Sequence, residues 1–167
     1  GVAGWRDKMS ALQWIGAGLF AEVLERARQS PRRRMNFNFH KSMEENPHRL
    51  LNVMLEGTYI RPHRHSDPPK AESFLAIEGR IGFFVFDDDG RIATARVLGA
   101  GGLLGVDIAP GVWHTMTAIS PHAVCYEVKP GPYQPMTDKE FAPWAPPEGD
   151  PRVPGYLQTL LASLPRT

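Results

Sequence analysis

The chain has 167 residues and a mass of 18.6 kDa, the size of one domain able to bury its own core. Its composition, 42% hydrophobic and 22% charged with 16 Gly and 16 Pro, excludes disorder and collagen and argues for many turns rather than an all-helical bundle. A formal net charge of +1 excludes a field strong enough to make nucleic acid or an anionic membrane the main partner, and the one cysteine, Cys125, excludes an internal disulfide or a cysteine-based zinc knuckle.

Near the N-terminus, Leu12, Ile15, Leu19, Phe20, Val23, Leu24 and Ala27 recur at intervals of three and four. That spacing predicts an amphipathic helix, capped by Ser10 and stopped at Ser30-Pro31. The stretch is too short and too interrupted for a membrane span and lacks the form of a secretory signal. With a single cysteine, the expectation is a soluble cytoplasmic protein.

From Arg34 the period changes to two. Met35, Phe37 and Phe39 alternate with Asn36, Asn38 and His40, which predicts a strand with one apolar and one polar face. Further strands are expected at 50–55, 58–65, 73–86, 91–98, 105–108, 114–119 and 124–129, with turn signals such as Glu56-Gly57, Glu78-Gly79, Asp87 to Gly90 and Pro110-Gly111 between them. Short strands without intervening helices predict an all-β antiparallel sandwich or barrel. Residues 130–154 hold eight of the sixteen prolines and should run as an extended arm over the barrel. Tyr156, Leu157, Leu160, Leu161 and Leu164 then predict a short closing helix. The expected division is a helical segment at 1–33, a barrel at 34–130, and the arm with its helix at 131–167, all in one structural domain.

His63 and His65 carry the chemistry. Alternate residues of a strand share a face, so these imidazoles should converge, with Tyr59 and Arg61 on the same side. Paired neutral imidazoles suit Zn, Fe, Ni or Cu, although an isolated His-x-His also fits satisfied or surface histidines. Tyr59 and Arg61 read as pocket residues or as closure of the barrel mouth. Asn36, Asn38 and His40 line a pocket or a solvated sheet face. Glu127 reads as an acid or base or as part of a surface ion pair, and Cys125 as an inert core thiol. Arg32 to Arg34 form a solvated cluster at the helix exit or a phosphate contact, and Asp87 to Asp89 a hairpin turn.

Gly57, His63 and His65, followed by Glu72 and Gly79, resemble the first motif of the cupin superfamily, with a longer loop through Pro68-Pro69 before Glu72. Gly105 and Pro110-Gly111-Val112-Trp113-His114 resemble the second. The resemblance implies a double-stranded β-helix, or jelly-roll barrel, with His63, His65, Glu72 and His114 as ligands of one divalent transition metal, zinc foremost and iron, nickel or manganese as alternatives. His40, His48 and His122 would lie outside that set. The segments 30–40, 57–65, 86–90 and 127–133 are similar to the WbuC-type family of cupin-fold metalloproteins, which is associated with bacterial polysaccharide (O-antigen) gene clusters. The expected ligand is therefore a small sugar-like molecule. An enzyme of this kind would be a metal-dependent isomerase or epimerase, lyase or dioxygenase, with Tyr59, Arg61 and Glu127 to move protons or orient substrate. The alternative is a non-catalytic, metal-dependent binding or sensing module. The amphipathic helix and exposed barrel edges further suggest a homodimer.

Overall fold

A computed structural model describes residues 11–136 and 138–166 of the chain; the expected cap Ser10 lies outside them. Helix α1 spans Ala17–Gln29 and buries Phe20, Val23 and Ala27. It begins later than the apolar spacing suggests. Gly16 at its start is extended, with φ of −170°, and Leu12 and Ile15 remain 55% and 46% exposed. Glycines at 16 and 18 weaken helix propagation there, so the stripe starts only where Leu19 and Phe20 reach the sheet. At the other end, Ser30 turns extended before Pro31, as a residue preceding proline must.

Ten strands follow among the described residues: β1 (Arg34–Asn38), β2 (His48–Leu55), β3 (His63–Arg64), β4 (Glu72–Glu78), β5 (Ile81–Phe86), β6 (Ile92–Leu98), β7 (Gly105–Ile108), β8 (Trp113–Ala118), β9 (His122–Lys129) and β10 (Glu140–Phe141). They form two five-stranded sheets, in the orders β1-β2-β9-β4-β7 and β10-β3-β8-β5-β6. Every pairing between these strands is antiparallel. The fold is thus an all-β double sheet of the kind the cupin resemblance implies. The long expected strand 73–86 divides at Gly79, whose φ is +74° and where a Cβ would sit 2.3 Å from the His122 carbonyl oxygen, so only glycine fits.

The inner faces meet in a core that includes Met54, Phe74, Ile81, Phe83, Met116 and Cys125. Their outer faces are covered too, which explains why β8 is buried at all six positions instead of alternating. Helix α1 lays Phe20 and Val23 on Leu51, Val53 and Val124 of the first sheet. The proline-rich arm and helix α2 (Val153–Ala162) cover the second, packing Ala142, Ala145 and Leu160 on Phe84, Phe86 and Trp113. The arm is not merely draped over the barrel: its Glu140–Phe141 adds an edge strand, with Glu140 opposite Arg64 and Phe141 opposite His63.

The expected strand 58–65 is paired only at His63–Arg64. Upstream, the hydroxyl of Thr117 donates to the Thr58 carbonyl at 2.7 Å and that of Thr115 to the Ile60 carbonyl at 2.5 Å. Side chains of β8 thus replace a backbone ladder, and Pro62 removes a donor just before β3. Strict alternation fails across this stretch: Ile60 and His63, three residues apart, line the same cavity.

Candidate metal centre

Between the sheets lies a cavity of about 310 Å³. His63 (β3), Glu72 (β4), His114 (β8) and His65, just beyond β3, meet in its wall, all buried. His63 is the register partner of His114 across β3 and β8, which brings their ring centroids to 4.6 Å. One donor atom from each of the four lies within 4.8 Å of the others.

Backbone carbonyls fix which ring nitrogen points inward. Nδ1 of His63 lies 2.9 Å from the Arg61 carbonyl and Nδ1 of His114 lies 2.8 Å from that of Val112. Nδ1 of His65 contacts the carbonyl of Asp138. A carbonyl only accepts, so each Nδ1 carries the hydrogen and each Nε2 presents a lone pair. His65 Nε2 then stands 2.7 Å, and His114 Nε2 3.4 Å, from Oε1 of Glu72. All three atoms are buried with no hydrogen bond to any donor. Converging bare acceptors repel unless a cation lies among them, and a set of three imidazoles and one carboxylate suits a divalent transition metal. Burial above all, with the Lys139 ammonium adding to it, pushes His63 well below the usual histidine range and keeps it neutral, the form a metal binds.

Glu127, on β9, lines the same cavity. Its Oε1 accepts a long hydrogen bond from Asn52 Nδ2, at 3.4 Å. Burial, then the charge of Glu72, raises its pKa. Tyr59 and Arg61 are not brought to the cavity, contrary to the parity argument. The Tyr59 hydroxyl donates to the Pro146 carbonyl at 2.7 Å, and the Arg61 guanidinium donates to that of Ala142 at 3.0 Å while lying over Phe141. Both face the arm because the alternation slips ahead of β3. Of the polar stripe on β1, Asn36 lines the cavity. His40 instead stacks on His48 at 4.0 Å, and His122 pairs with Glu78, so all three remaining described histidines lie apart from the cluster. Cys125 is fully buried, and its thiol is pushed well above the usual range by burial. Arg34 is less solvated than expected: it lines the cavity and contacts Glu148 at 2.6 Å.

Sequence reasoning missed the support supplied by the arm. Asp138 is buried and pairs with Lys70 at 2.9 Å and Lys129 at 3.3 Å, while its carbonyl holds His65. The neighbouring Lys139 lines the cavity. Asn52 had a signal, one amide within the apolar run Leu50-Leu51-Asn52-Val53-Met54, whereas Asp138 and Lys139 lie in a stretch without periodicity.

Among solved structures, the capsular polysaccharide assembling protein CapF from Staphylococcus aureus is similar over 64% of this chain at 21% identity, with a TM-score of 0.54. The matched part is 28% of CapF, so the chain spans less than a third of that protein. L-ribose isomerase from Acinetobacter sp. DL28, in complex with L-ribose, matches over 67% of this chain and 71% of its own, at 13% identity and a TM-score of 0.53. The Cellulomonas parahominis L-ribose isomerase with L-psicose is similar over 67% and 70%, at 14% identity and a TM-score of 0.53. Identities this low speak to fold alone, and the fold they share is of the cupin type. No curated protein matches the sequence. Residues 15–98, half of the chain, match the family described as Domain of unknown function (DUF6016), and the chain belongs to that family.

Proposed function

We propose that the chain binds one divalent transition metal through His63, His65, Glu72 and His114 and acts on a small sugar-like molecule in the adjoining cavity, as a metal-dependent isomerase or epimerase, lyase or dioxygenase. The observation that carries this reading is the convergence of His65 Nε2, His114 Nε2 and Glu72 Oε1, three buried acceptors without a donor. Zinc is the first candidate, and imidazole-rich sites also accept iron, nickel or manganese. A metal in that position would supply Lewis acidity toward a hydroxyl or carbonyl oxygen.

The protein's own groups would do the rest. Glu127, buried in the cavity with a raised pKa, would give or take a proton at its carboxyl. Asn52 would fix the orientation of that carboxyl, and Ile60, Phe74 and Met116 would exclude water from the cavity wall. Tyr59 and Arg61, both engaged with the arm, would hold the scaffold rather than touch substrate. The proposed assembly is a homodimer, supported by the apolar side chains Leu75, Ile77, Leu103 and Leu104, which are 43–55% exposed near edge strand β7.

The test begins with elemental analysis of protein purified without chelator or a metal-affinity tag. Near-stoichiometric zinc, iron, nickel or manganese that disappears in His63→Ala supports the site. A screen of sugars and nucleotide-sugars for turnover follows. Glu127→Gln should lower turnover about 10²-fold with metal content unchanged. Full turnover in Glu127→Gln would remove the acid-base role, and binding without turnover of any compound would leave a binding module.

A further inference from the structure

The cavity carries charges that metal binding does not use. Arg32, Arg34, Lys129 and Lys139 line it, against only two carboxylates, Glu72 and Glu127. Most of these cations are committed. Arg34 and Arg32 share Glu148, at 2.6 and 3.0 Å, and Lys129 shares Asp138 with Lys70. Lys139 differs: among the described residues no carboxylate lies within ion-pair distance of its ammonium. It lines the same cavity as His63, Glu72 and Glu127, and its charge is felt at His63. With a divalent ion in place the lining is net positive, even after Glu148 and Asp138 are counted.

A cavity with this excess favours an anion, and at about 310 Å³ it stands at the lower end of the roughly 300–1,000 Å³ typical of ligand pockets. We propose that Lys139, supported by Lys129, forms an anion subsite beside the metal cluster, so that the natural ligand is a small polyol bearing one carboxylate or phosphate rather than a neutral sugar. The inference rests on the cavity being the ligand site of the preceding section. It adds the charge class of that ligand and a residue that selects it. A lysine suits the task because its ammonium is a point charge on a flexible stem, able to meet either a carboxylate or a phosphate.

Calorimetric titration of the metal-replete protein at pH 7 with glucuronate, glucose 6-phosphate and glucose tests this. At least one of the two acids should bind ten or more times tighter than glucose, and the stronger of them tells carboxylate from phosphate. Lys139→Met should weaken that acid about tenfold or more while leaving glucose and metal content unchanged, as expected for one charge-assisted contact. Lys139→Arg should retain the preference. Equal affinity for acids and glucose, absence of binding by both acids, or an undiminished preference in Lys139→Met would each overturn the subsite. Failure of the metal reading looks different, since it appears as metal-free wild-type protein before any sugar is added.

Discussion

Two clusters of buried polar groups stand side by side in this barrel, and they are built on opposite terms. In the arm cluster, Lys70, Lys129 and Asp138 satisfy one another: the Lys70 ammonium donates to Asp138 and to the Pro132 carbonyl, both at 2.9 Å, and Lys129 takes the second carboxylate oxygen. In the histidine cluster, each Nδ1 is satisfied by a carbonyl while His65 Nε2, His114 Nε2 and Glu72 Oε1 meet no donor. Buried charge by itself therefore says little about function. What separates a structural network from a binding site is whether the lone pairs and protons balance without a ligand.

The sharpest way to break the comparison is to remove the carboxylate that closes the arm cluster. Asp138→Ala leaves two lysines without their partner, one of them with a side chain only 4% exposed, and should cost about 3–5 kcal/mol in urea unfolding. The histidine cluster should respond in the reverse sense. In metal-free protein, His114→Ala removes one of the mutually repelling acceptors and should leave thermal stability within about 1 kcal/mol of wild type, apart from the packing of the ring on Phe83. Added metal at a hundred times its Kd should raise wild-type stability by about 2.7 kcal/mol and leave His114→Ala unmoved. A metal-free wild type already as stable as the metal-replete form would sink the assignment.

Acid sharpens the contrast further. Burial pulls the Asp138 carboxyl upward, but the Lys129 and Lys70 ammonium groups outweigh it and hold the folded pKa below the ordinary 3.8. A depressed folded pKa means that the pair's stabilisation is present above 3.8 and is lost as the pH falls through the lower folded value. Wild type should therefore lose stability below about pH 4, and Asp138→Asn should lack that part of the acid limb. The smallest effect belongs to the exposed pair of Arg32 with Glu148, whose side chains are 61% and 36% exposed. Arg32→Ala should change stability by about 0–1 kcal/mol, less at high salt.

In the histidine cluster, strand parity put His63 and His65 on one face, whereas Glu72 and His114 joined them through the resemblance to the two cupin motifs. His63 and His65 flank a short extended segment, and His114 follows the Gly111 turn, φ +81°, that opens β8. Glu72 survives a longer preceding loop because β4 restores its register, opposite Ile108. The errors have local causes as well. Tyr59 and Arg61 were assigned by an alternation that threonine hydroxyls and Pro62 interrupt, and Leu12 and Ile15 by a helical spacing that stops at the extended Gly16. Lys139 and Asp138 were out of reach for another reason: they reach the site through β10, a two-residue strand whose pairing with β3 is specified by residues more than seventy positions away.

The carbonyl of Asp138 that holds His65 belongs to the arm, and this would make arm docking and the proposed ion binding one thermodynamic cycle. Whatever affinity the ion loses when the arm lifts away, the arm must gain in attachment when the ion is bound. Limited proteolysis between 130 and 140 should accordingly slow on adding metal, and a cut there should loosen the ion without touching any of the four side chains around it.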